Sequence, residues 1–204
     1  HPGAAHYLIH GVDDPVHAVL GLRAARALAA MAPDAGHSQH MTSHIFTALG
    51  MWDDVVSANE AAVKVQNAMR GEQDLAARHW GHYNYWLLYG YLQQGRHGAA
   101  RELLETAYGE AQADGKAPTE RLLLDPDNDL VGSVVQMWAR YLIETRGWTA
   151  AVADWSFNSG DAYDPHLTIR DVRALQAAHG GLAAQAGQFQ QQFRDLAAEL
   201  RQEI

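Results

Sequence analysis

The 204-residue chain contains no cysteine and only two lysines, Lys64 and Lys116. Without thiols there is no disulfide framework, thiolate zinc site, iron–sulfur cluster or cysteine nucleophile, so metal chemistry would have to use imidazoles and carboxylates. Cations are scarce overall: 15 Lys and Arg stand against 24 Asp and Glu, a net charge of −9. That balance argues against nucleic-acid binding, which needs clustered cations to displace phosphate counterions. No apolar run reaches the ~18 residues of a membrane span, and no basic-then-apolar leader opens the chain. The first residue is His1 rather than Met, which reads as a processed, trimmed or fragmentary chain with any targeting segment upstream. The compartment therefore stays open between cytoplasm and periplasm.

What is plentiful is apolar residues, 48% of the chain, enough for a sizeable core. Strand signals are poor. Ala, Leu, Gln, Arg and Glu dominate, and apolar residues recur at three and four positions in VLGLRAARALAAM and VVQMWARYLIET. An all-α chain follows. Asp13 or Asp14 is positioned to cap a helix whose first turn accepts Pro15 and which Pro33 and Gly36 stop after Met31. HMTSHIFTAL pairs with WDDVVSANEAAVKVQNAM, and WGHYNYWLLYGYLQQ with HGAARELLETAYGEA. A further pair is LDPDNDLVGSVVQMWARYLIETRG with WTAAVADW, and residues 166–203 form a last one. The hairpins turn on similar signals, LG-MWDD, QG-RHGA and RG-WTAA, while 114–129 and 156–165, with Gly115, Pro118, Pro126, Gly160 and Pro165, read as irregular.

Histidine is the other abundance, 12 in all. His6 and His10 lie four apart, as do His40 and His44, so each pair stacks on one helix face. The two pairs are separated by 34 residues. His17, His79, His97, His166 and His179 show no such pattern and read as surface or hydrogen-bonded structural residues.

Helix pairs of this period, with glycine at the hairpin and Ala27, Ala62, Ala100 and Ala107 on second helices, resemble the tetratricopeptide repeat (TPR) family. The resemblance implies a right-handed solenoid of about four to five hairpins in one domain over 1–204. Its clearest repeats are 2–36, 37–70 and 79–113, followed by divergent pairs at 128–158 and 166–203. The motifs HPGAAHYLIH, HxxHMxSHIF and LLYGYLQQG are similar to those of a subgroup of bacterial TPR proteins without an established reaction. Where that subgroup has Pro before the Ser of HMPSHIF, this chain has Thr42. Its members are longer, which implies a fragment of a longer helical protein.

In TPR proteins the first helices of successive repeats line a concave groove. The resemblance therefore implies that His6, His10, His40 and His44 face one site, with His37 and His82 as further candidates, Asp13 and Asp14 at the rim, and Ser43 turned to the partner helix. Aligning Gly50 with Gly95 places His40 and His44 over Tyr85 and Tyr89. Imidazoles on adjacent helices ~8–10 Å apart can converge on one ion with bonds of ~2.0–2.1 Å. Neutral imidazoles suit Zn²⁺ ahead of Cu²⁺, and no organic cofactor is indicated. Met41 and Tyr7 stand where HExxH would place its Glu, which disfavours a standard metalloprotease. Three imidazoles would leave a water-bearing position for hydrolysis, with Tyr85 or Asp13 as proton-transfer candidates. A copper oxidase-type site would need all six histidines. The alternative is a non-catalytic module that binds a peptide or protein in the groove. Trp52, Trp86 and Trp138 should fill the spaces between helices.

Overall fold

The computed structural model describes residues 1–122 and 128–203. The stretch expected to be irregular around Pro126 lies partly at 123–127, outside the described residues. Those described are helical or irregular, with no strand among them. No helix among them is long and apolar enough to cross a membrane. The chain divides into two compact units, His1–Leu103 and Leu104–Ile204, with the division inside a helix.

The first unit contains α1 (Pro2–Gly11), α2 (Ala18–Met31), α3 (Gly36–Ala48), α4 (Trp52–Gly71), α5 (His82–Gln93) and the start of α6 (His97–Asp114). Each of α1 to α4 packs on the helix that follows it, and α1 also touches α3. The core joins Ile9 of α1, Ala18, Ala25 and Leu28 of α2, Met41, Ile45 and Phe46 of α3, and Val55 and Ala58 of α4. Of these, Ala25 and Leu28 fall in VLGLRAARALAAM, whose three-and-four spacing marked a helix. The α3–α4 and α5–α6 hairpins turn at Gly50 (φ +68°) and Gly95 (φ +70°), a left-handed conformation that glycine adopts without steric cost.

The α1–α2 connection differs in detail from the sequence expectation. Neither aspartate caps α2 itself, whose N-cap is His17 without a side-chain cap; Asp14 Oδ1 instead accepts from the backbone N–H of Val16 (2.9 Å) and His17 (3.0 Å), closing a turn that contains Pro15 and precedes α2. Asp13 is left for another partner.

The second unit holds the rest of α6, then α7 (Leu130–Thr145), a short 3-10 turn (Ala151–Asp154), α8 (Tyr163–His179) and α9 (Ala183–Glu203). α7 packs on α8, and α8 on α9. The helix expected from WTAAVADW shrinks to the 3-10 turn for a tertiary reason. Trp138 Nε1 donates to the Val152 carbonyl at 2.7 Å, and Arg173 donates to the carbonyls of Ala153 and of Trp155, the latter at 2.7 Å. Carbonyls that a helix would use internally are taken by side chains. Trp138 is fully buried, while Trp52 and Trp86 are half-buried between helix faces.

Candidate metal centre

The site is built on α3. His40 lies on its buried side, at 0% exposure, and His44 sits one turn further along. Beneath His40, Asn59 of α4 is also fully buried. Asn59 donates its side-chain N–H to the Val55 carbonyl at 2.9 Å, which turns its Oδ1 toward His40 Nδ1, 2.7 Å away. A carbonyl oxygen only accepts, so the His40 proton resides on Nδ1 and the Nε2 lone pair is bare. His44 is arranged in the same way. Its Nδ1 donates to Asp13 Oδ2 at 2.7 Å, which in the neutral ring leaves Nε2 bare.

The two bare Nε2 atoms face each other at 3.1 Å. Between neutral rings this contact sets lone pair against lone pair, and only a shared cation makes it favourable. Two nitrogens at this spacing subtend about 100° at an ion bonded at ~2.0–2.1 Å. His82, first residue of α5, contributes the third nitrogen: the ligand atoms of His40, His44 and His82 all lie within 4.8 Å of one another. A shared proton needs two nitrogens; with a third imidazole this near, the group could hold a metal ion. Ligands of a tetrahedral ion stand ~3.4 Å apart, so closing the trio requires a turn of the His82 ring.

Backbone chemistry positions His82. The extended stretch before α5 is pinned by Asn67, which accepts from the Arg78 N–H (2.9 Å) and donates to its carbonyl (3.2 Å), and by Asn84, which donates to the Trp80 carbonyl (3.0 Å). Gly81 then turns the chain into α5 at φ +88°, which a side chain would oppose. Aromatic rings wall the trio. His40 meets Tyr83 at 5.0 Å and Trp86 at 6.0 Å between centroids, and His44 meets Trp86 at 5.2 Å. This apolar surround holds His40 in its neutral, ligating form: burial pushes its pKa down to about 3, against the Asn59 hydrogen bond that raises it. Burial, and then the neighbouring imidazoles, also lower His37.

The structure sorts the sequence candidates. The α3 pair joins with His82 into the close trio, while His6 and His10 pair with each other, Nε2 to Nε2 at 2.9 Å. His37 stands between the groups, its ring 5.0 Å from His6 and 6.5 Å from His40. Asp13 belongs to the site as the partner of His44. The repeat alignment put Tyr85 and Tyr89 opposite His40 and His44, but His82, Tyr83 and Trp86 occupy that position. Equivalent positions share a face, yet across neighbouring helices a side chain meets the ring about one turn displaced. Tyr85 and Tyr89 both meet Trp86, at 6.5 Å, and Tyr89 also meets Trp52 at 5.6 Å.

Sequence reasoning missed Asn59 and Tyr83, and gave Trp86 only as filling between helices. Asn59 had a readable signal, a lone amide on the Val55–Ala62 stripe of α4, where a buried polar group demands a partner. Among the remaining histidines, His17 bonds Asp14, His166 bonds the Gly160 carbonyl at 2.6 Å, and His179 stacks on Trp148 at 5.3 Å. Compared with family models, with curated proteins and with solved structures, the chain matches none.

Proposed function

We propose that this is a TPR-like helical repeat protein that binds a divalent transition metal through His40, His44 and His82. Zn²⁺ fits ahead of Cu²⁺, because three neutral imidazoles with a fourth open position form the donor set of a catalytic zinc site. One observation carries the reading: both Nδ1 atoms of the α3 pair are committed to protein acceptors, so the two Nε2 atoms turn toward each other at 3.1 Å. The Asp13–His44 and Asn59–His40 contacts are the outer partners that fix tautomer and ring orientation in metal-binding histidines. The stacking of α1 on α3, with α3 rings meeting α5 rings, supports the repeat reading.

The chemistry suited to such a site is hydrolysis. A metal at three imidazoles supplies a water of lowered pKa, and Asp13, through His44, keeps the ligand oriented rather than acting on substrate. The test is elemental analysis of protein made without a histidine tag, followed by zinc titration against a competing chelator. Stoichiometric metal in the parent, of which one equivalent is lost in His40→Ala and in His44→Ala but none in His97→Ala, is the expected result. No saturable binding in the parent would sink the reading. Ester, amide and phosphoester turnover, measured before and after chelation, then asks whether the bound metal is catalytic.

A further inference from the structure

A second pair of imidazoles repeats the α3 arrangement on the neighbouring helix. His6 and His10 of α1 hold their Nε2 atoms 2.9 Å apart, close to the 3.1 Å between His40 and His44. That spacing subtends about 90° at an ion bonded at ~2.0–2.1 Å, a chelate bite. The rotation of α1 is pinned by Ile9, fully buried in the core, and His6 and His10 flank it in helical register on the side that meets His37. His37, in the first turn of α3, brings its ring to 5.0 Å from His6 and 6.5 Å from His40. The imidazoles thus run without a break from α1 to α5, with three on the α1 side and three at the first site.

We propose that His6, His10 and His37 hold a second divalent transition-metal ion beside the first, so that the loaded protein carries a two-metal centre. His6 and His10 supply the preformed chelate, and His37 closes the site by a ring turn from the first turn of its helix. Two dications held by six neutral rings, with Asp13 as the carboxylate bonded to the cluster, leave a strong positive excess. Such a centre favours an anionic ligand between its ions, either hydroxide or an oxyanion.

The proposal rests on the metal reading of the first site, and one titration separates the two. Metal content is measured after loading with Zn²⁺ and dialysis, in the parent, in His6→Ala/His10→Ala and in His40→Ala/His44→Ala. The α1 histidines are half-buried or exposed, and alanine favours helix, so the first double variant should fold; circular dichroism checks this. Two equivalents in the parent, falling to one in His6→Ala/His10→Ala, are expected. In the Cu²⁺-loaded parent, paramagnetic resonance should show spin coupling between neighbouring ions that disappears in the same variant. One equivalent in the parent, unchanged in His6→Ala/His10→Ala, would overturn the second site and leave the first standing. A single equivalent lost in His6→Ala/His10→Ala but kept in His40→Ala/His44→Ala would overturn the first reading.

Discussion

In the first unit, His40 and His44 turn bare Nε2 atoms toward each other across 3.1 Å, whereas in the second, Arg173 spends its guanidinium on the carbonyls of Ala153 and Trp155 and on the side chain of Gln176. Both are polar groups within a helical interior, but the Arg173 donors meet carbonyl and amide oxygens, whereas the two Nε2 atoms face each other. The difference teaches what to look for in a repeat-like chain. A polar group that finishes its hydrogen bonds inside the protein holds a turn in place, and one whose outer atom is fixed while its inner atom is left open is set up for a ligand.

Substitution should break this comparison most sharply at the ligands. His44→Ala should weaken zinc more than about 100-fold, beyond the loss expected from an orienting partner, and adding His40→Ala should cost less than it does alone, because the two act as one site. His97→Ala, on the exposed start of α6, controls for histidine number and should leave affinity within error. Equal, small losses at His44 and His97 would remove the distinction between cluster and surface.

Arg173→Ala should do the opposite. It strands the Ala153 and Trp155 carbonyls, so urea unfolding of the second unit should lose about 2–3 kcal/mol, with zinc affinity unchanged. An affinity loss there would show that the units are coupled.

Acid probes the first unit without substitution at a ligand. In metal-free protein the unfolded His40 takes up its proton near 6.5, and the folded one only near 3. Protons therefore bind the unfolded chain preferentially across that window, and stability should fall as pH drops from 6.5 toward 3. The loss should reach roughly 2 kcal/mol by pH 5. Urea midpoints for the parent and His40→Gln isolate this contribution; parallel pH dependence in both would discount it.

The smallest effect expected is at the outer partner. Asp13→Asn keeps an acceptor for His44 Nδ1 but removes the charge that strengthens the imidazole as a ligand, and should weaken zinc about 10-fold.

Much of this is readable in the sequence. The all-helical character followed from spacing in VLGLRAARALAAM and VVQMWARYLIET, and the hairpins from Gly50 and Gly95, because helix period and left-handed turns are properties of short segments. The His6/His10 and His40/His44 pairs were legible for the same reason: residues four apart share a face whatever surrounds them. The truncated helix at 148–155 was not legible, since local propensity favours helix and only Trp138 and Arg173, distant in sequence, take its carbonyls.

Sequence by itself determined which residues are histidine, that they come in stacked pairs, and that no thiol or cluster of lysines competes with them for function. Only the tertiary structure decided which nitrogens meet. His82 joins His40 and His44 because the Asn67 and Asn84 hydrogen bonds and the turn at Gly81 set the start of α5, and Asp13 reaches His44 while Asp14 closes the turn before α2. The physical reason is range: a helix fixes neighbours within a turn through its own backbone, while the partners of an imidazole ring depend on how separate helices pack, to within an ångström.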